Sequence, residues 1–171
     1  SEWNDSGKNN LDAIGIAVVT DECQFLACKS TINKTLESSY TTELSNGILY
    51  PITMTSSDAL KDYTGKWSTY LLSRTYSNQL YAFGYCAAFE VGNGATGYLG
   101  SGGEWKAIKD NLTEFKSKWA AAMVNTFDAS RCWTSSPYSK SEFYIYNLSN
   151  GNVSNGGLQI SLNVTPFALL P

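Results

Sequence analysis

The chain has 171 residues, 12 Lys and Arg against 15 Asp and Glu for a net charge of −3, and 43% apolar residues. It is long enough to bury a core and too apolar to be disordered. With no basic patch, nucleic acid is excluded as the main partner.

There is no histidine, so the usual general base, proton shuttle and commonest metal ligand are missing together. The four cysteines, Cys23, Cys28, Cys86 and Cys132, form no CxxC pair, which argues against a zinc site. Disulfides are compatible with this set, but spacing does not pair them. No cofactor is expected. No run of 18 apolar residues occurs, so no membrane-spanning helix is expected.

Residues 1–11 are polar and aperiodic and read as a linker or lead-in, leaving 12–171 as a single domain. Ala13–Val19 is an apolar run with the character of a buried strand. Thr20-Asp21-Glu22 turns it back through Gln24–Cys28, giving an N-terminal hairpin. Leu26 and Cys28 share a face of that return strand, while Cys23 sits at the exposed turn. Residues 29–66 read as a long loop region with short strand pieces.

Gln79–Phe89 has helical character, with Leu80, Phe83 and Ala87 on one stripe, and the glycines of Val91-Gly92-Asn93-Gly94 would end it. Ser101 and Glu104 have capping-box spacing. Trp105, Ile108, Leu112, Phe115, Trp119 and Met123 then recur at three and four, the clearest amphipathic helix in the chain. Asn111 and Glu114 repeat the box, so that helix is expected to break near Asp110.

The remainder reads as an antiparallel meander. Cys132–Ser135 and Phe143–Leu148 are strands, and Asn150-Gly151 is a two-residue hairpin signal. Leu158, Ile160, Leu162 and Val164 should face the core, with Gln159, Ser161 and Asn163 outward. Pro166–Leu170 closes as an apolar edge. Separate helix and strand blocks make the class α+β.

Trp133–Gly151 carries aromatics spaced by Ser, Asn and Gly, a composition suited to contact surfaces and equally to half-buried strands. The succession Asp12-Ala-Ile-Gly-Ile-Ala-Val18, Gly97-Tyr-Leu-Gly-Ser-Gly-Gly-Glu-Trp105, Trp133-Thr-Ser-Ser136, Leu148-Ser-Asn-Gly151 and Val164-Thr-Pro-Phe-Ala168 resembles bacterial and phage surface domains of C-type-lectin fold. These include fimbrial and lipoprotein adhesins, phage receptor-binding proteins and the variable proteins of diversity-generating retroelements. The resemblance implies a C-type-lectin-like α+β fold whose C-terminal strands and loops present the ligand-contacting face. Two positions depart from it: Gly100 where many relatives carry Pro, and Thr165 where many carry Arg.

Mapped onto that face, the expected contact residues are Tyr138, Lys140, Glu142, Ile145, Asn147, Asn150, Asn152, Asn155 and Gln159. Ile145 is included because Tyr144 and Tyr146 should turn inward if Leu148 does. The implied function is a non-enzymatic, surface-displayed domain that binds a glycan or protein on another cell or particle. The expected location is extracellular, on a bacterium or a phage virion.

The alternative is a structural subunit of a pilus or virion that uses the same face for assembly, in a homo-oligomer or larger surface array. Two enzyme readings are weaker. A formylglycine-generating-type oxidoreductase would use Cys23 and Cys28, and a hydrolase would use Asp58, Asp62 or Glu104.

Overall fold

A computed structural model of the chain describes residues 13–45, 47, 49, 53–92, 94–123 and 126–170. The expected lead-in 1–11 and Asp12 lie outside these residues, as does the side chain of Met123. The described chain is α+β.

Its first sheet has the strand order β1 (Gly15–Val19), β2 (Gln24–Cys28), β11 (Pro166–Ala168) and β6 (Tyr98–Leu99), all antiparallel neighbours. The N-terminal hairpin is present as expected, but β1 lies at the sheet edge, and of its residues only Val18 is buried. Pro166–Ala168 is not an edge. It lies between β2 and β6 with all three residues buried, and Pro166 is tolerated because it opens the strand.

The second sheet runs β3 (Ile32–Lys34), β10 (Leu162–Val164), β7 (Arg131–Ser139), β8 (Glu142–Asn147) and β9 (Val153–Gly157). The expected meander holds for β7, β8 and β9, but β10 returns to pair with β7 in parallel.

Of the long region 29–66, β3, α1 (Tyr40–Ser45) and α2 (Ser56–Ala59) are regular, and α3 (Gly65–Ser73) follows. Next come α4 (Ala82–Ala88) and a two-stranded ribbon of β4 (Glu90–Gly92) and β5 (Ala95–Thr96). The paired glycines serve that ribbon rather than a helix cap: Gly92 and Gly94 have φ of 103° and 76°, conformations open to glycine. Leu80 precedes α4 and is exposed, while Phe83 and Cys86 are buried.

The amphipathic segment divides at Asn111 into α5 (Gly102–Asp110) and α6 (Leu112–Met123). The Ser101–Glu104 capping box is present, with Ser101 N–H donating to Glu104 Oε2 at 2.8 Å.

Two apolar clusters flank the second sheet. In one, Trp105, Ile108, Phe115 and Trp119 of α5 and α6 pack with Phe25 and Phe167 of the first sheet and with Cys132 and Tyr146. In the other, Leu72 of α3 and Phe83 and Cys86 of α4 pack with Trp133, Phe143, Ile145 and Val164. Strands β7 and β8 are therefore covered on both faces. Trp133 is fully buried, and its Nε1–H is shared between Lys34 O and Ile160 O at 3.1 Å each.

Candidate functional site

The double covering of β8 overturns one expected contact. Ile145 is 1% exposed and packs among Phe143, Trp133 and Leu158. Period-two reasoning assigned it outward because Tyr144, Tyr146 and Leu148 turn inward, which they do. That reasoning holds only for a sheet with one wet face. Ile160 is a second correction. It is 41% exposed because residues 158–161 lie between strands, with a turn at 158–159, and the alternation starts only at Leu162.

The other expected residues divide into two groups at opposite ends of β8, whose end residues are about 16 Å apart at ~3.3 Å per residue. At the β7–β8 turn lie Tyr138, Lys140, Glu142 and Asn155. Gln159 joins them, since Glu142 pairs with Gly157 just before its turn. Asn155 Nδ2 donates to Glu142 Oε1 at 2.8 Å, and the exposed Tyr138 ring meets Tyr144 edge-on at 5.4 Å. Tyr144 is itself held by its hydroxyl, which donates to Met54 O at 2.8 Å. This end presents a ring, an ammonium, a carboxylate and amides on a supported hairpin.

The other end holds Asn147, Asn150 and Asn152; the Asn147 and Asn150 side-chain oxygens are committed to the loop, while Asn152 is exposed and enters it through its backbone. Asn147 Oδ1 accepts from Ser149 N at 2.9 Å and Ser149 Oγ at 2.6 Å, and Asn150 Oδ1 accepts from Asn152 N at 3.0 Å. Asn147 N donates to Asn152 O, and Gly151 N to Asn147 O. The Asn-Gly pair therefore closes a four-residue loop, with Gly151 at φ 77°, instead of a two-residue turn.

The residues behind the enzyme readings have structural employment. Cys23 and Cys28 flank the extended β2, placing their Cα atoms about 16 Å apart at ~3.3 Å per residue, well beyond disulfide reach. All four cysteines are free thiols. Burial raises the Cys23 thiol above its ordinary value against the opposing hydrogen bond of Thr20, and pushes Cys28 up to about 12. Neither is an activated nucleophile.

Asp58 is exposed and caps α2 through Thr55. Asp62 is buried and accepts from Thr64 N, Thr64 Oγ1 and Ser136 Oγ. Glu104 Oε1 accepts from Tyr98 OH at 2.7 Å, and burial raises its carboxyl above the usual range. Among the described residues, no group of three or more His, Cys, Asp or Glu side chains is placed to hold a metal ion.

One feature went unread in the sequence. On α3, Ser68, Thr69 and Leu72 face inward, and Thr69 Oγ1 accepts from Leu99 N at 2.9 Å. Trp67 and Tyr70 point out, 61% and 51% exposed, their rings stacked at 5.6 Å and 28°. The signal was present as an inverted helical pattern, with small polar residues at the core positions and aromatics between them.

These elements define an α+β protein of two main sheets and a small ribbon with helices packed between and beside them, and a supported hairpin and an aromatic helix face on its surface. No protein-family model matches the chain, and no curated protein does. Among solved structures, the fold is similar to that of a fimbrial protein from Bacteroides ovatus ATCC 8483, with a TM-score of 0.64 at 18% identity. The match covers 86% of this chain and 36% of that one, so the chain spans about a third of that protein's length.

Proposed function

We propose that this chain is a non-catalytic contact domain of a bacterial surface protein of the fimbrial type. The observation that carries this reading is the fold likeness to a fimbrial protein over 86% of the chain. Assignment to the C-type-lectin fold, as a single domain over 12–171, is part of the proposal. It is supported by the pairing of the chain's early and late strands in one sheet and by the sequence resemblance. A bacterial surface is preferred over a virion because the structural neighbour is a bacterial fimbrial protein.

The contact face in this reading is the β7–β8 hairpin end, with Tyr138, Lys140, Glu142, Asn155 and Gln159. It combines an aromatic ring with donors and acceptors on a supported scaffold, the composition of surfaces that recognise protein or glycan. Asn147 and Asn150 contribute loop geometry through their side-chain oxygens, Asn152 stays as an exposed contact group at the far end, and Ile145 is removed from the set.

The test is immunogold electron microscopy of cells expressing the full-length protein, with an antibody to this domain. Label on surface filaments is the expected result. Label along the shaft assigns the hairpin face to subunit assembly, and label confined to the tips assigns it to adhesion. Label restricted to the cell interior overturns the reading.

A further inference from the structure

The tip of the β1–β2 hairpin, the first turns of α3 and Leu169 beyond β11 enclose an open cleft of about 760 Å³, a volume typical of small-molecule sites. Buried Tyr98 and Glu104 form its floor, Trp67 and Tyr70 an aromatic wall, and Glu22, Gln24 and Lys66 its polar rim. None of these residues belongs to the hairpin face. We propose that this cleft is a saccharide-binding site, in which the C–H face of a pyranose ring lies against the Trp67 indole while the rim side chains meet its hydroxyls.

The wall is pre-organised. Trp67 stacks on Tyr70 at 5.6 Å, and the Arg74 guanidinium lies over the Tyr70 ring at 5.6 Å. The column holds the indole in place while leaving it mostly solvent-accessible. A ring already fixed in its binding orientation loses little further freedom when a ligand arrives. Below it, Thr64 is tied to Asp62 through both its N–H and its hydroxyl, which holds the start of α3. An exposed aromatic patch of this kind, rimmed by polar groups, marks a contact site rather than scattered surface.

The chemistry of the rim selects the ligand class. A pyranose presents an apolar face and an edge of hydroxyls, each both donor and acceptor. The aromatic wall suits the face, Lys66 and the Gln24 amide donate, and Glu22 and the Gln24 carbonyl accept. A wholly apolar ligand would strip water from Glu22 and Lys66 without replacing it, which is costly. A nucleotide could stack on Trp67, but its phosphates would approach Glu22 on a chain of net charge −3. A neutral sugar satisfies the ring and the rim together. The inference concerns the isolated chain and does not depend on where the protein is displayed.

The test is heteronuclear NMR of the 171-residue chain, titrated with neutral oligosaccharides of gluco, galacto, manno and N-acetylated types. The Trp67 indole resonance is assigned by its disappearance in Trp67→Phe. The expected result is saturable movement of the Trp67 indole and Gln24 amide signals with at least one sugar. Trp67→Ala should weaken that binding by about tenfold or more without lowering the melting temperature, since the side chain is largely exposed. Gln24→Ala, on the β2 side of the cleft, should weaken it independently.

Three outcomes overturn the proposal. One is that no sugar moves Trp67 at millimolar concentration. Another is that sugars move only the Tyr138–Gln159 hairpin end. The third is that light scattering shows a dimer which Trp67→Ala dissolves, making the cleft a self-association surface.

Discussion

Gly100 shows how one missing carbon is written into the core. A Cβ there would lie 2.3 Å from Phe167 Cε2. That ring cannot retreat, because it stacks on Phe25 at 4.5 Å and leans on Trp105 at 4.9 Å. Gly100→Ala should therefore destabilise the protein by about 1–3 kcal/mol through overpacking, read from the urea midpoint at unchanged m-value. A Pro at this position would add more than a Cβ and meet the same Phe167 ring.

Glu104 makes a second prediction at this scale. Its folded carboxyl titrates above the ordinary 4.5 because burial outweighs the hydrogen bonds from Ser101 and Tyr98. Between the unfolded and folded values the native state holds the extra proton, so this residue's contribution is fully present below pH 4.5 and is lost as pH rises through the folded value. Glu104→Gln removes that titration. The variant should gain stability relative to wild type between pH 4 and pH 7, and a difference independent of pH would refute the assignment.

At the scale of elements, a buried polar network joins parts that are remote in sequence. Ser136 Oγ of β7 donates to Asp62 Oδ2 at 2.5 Å and accepts from Gly102 N at 3.0 Å, at the start of α5. Ser101 Oγ donates to Asp62 O at 2.6 Å. Ser136→Ala leaves a buried carboxylate oxygen and a helix N-terminal N–H short of partners, an expected cost of about 1–3 kcal/mol in chemical denaturation. Ser136→Thr should restore most of that if the methyl group is accommodated.

The same elements show what the sequence could and could not disclose. The hairpin, the capping box and the break at Asn111 were legible because each is a local rule satisfied by neighbours in the chain. The stripe of α5 and α6 was legible because it has one dry face. The burial of Phe143-Tyr144-Ile145-Tyr146 was not, since a strand covered on both sides loses the alternation that reports its faces. The α3 aromatics escaped for the opposite reason: their pattern is periodic but inverted, and a periodic stripe is ordinarily read as core.

For the whole molecule, the buried thiols contribute to the alkaline limit, alongside Tyr40, Tyr98 and Tyr146, whose hydroxyls burial also raises. Burial pushes Cys28 up to about 12, and Cys86 and Cys132 also stand well above their ordinary 9.0. Above pH 9 the unfolded chain releases these protons and the folded chain does not. The stability they contribute is thus complete below pH 9 and falls as pH rises through the folded values. The urea midpoint should drop steadily from pH 9 to pH 11, and Cys28→Ala should make that slope shallower. Native Cys23, at the edge of the fold, should react with a thiol reagent well before the other three.

The central place of β11 makes a sharper claim. A chain ending at Thr165 loses the strand between β2 and β6 together with Phe167, the ring at the middle of the aromatic cluster. It should show no cooperative thermal transition, and a two-state melt in that truncation would refute the role given to β11.

Pairing of β2 with β11 also imposes an order on biosynthesis. Thr31 and Thr165, hydrogen-bonded just beyond the two strands, lie 134 positions apart. Until the intervening 134 positions have been made, the β1–β2 hairpin has no strand to complete its sheet. Non-local closure of this kind is slow and exposed to aggregation. A holding chaperone would serve this topology by covering β2 until β11 is available.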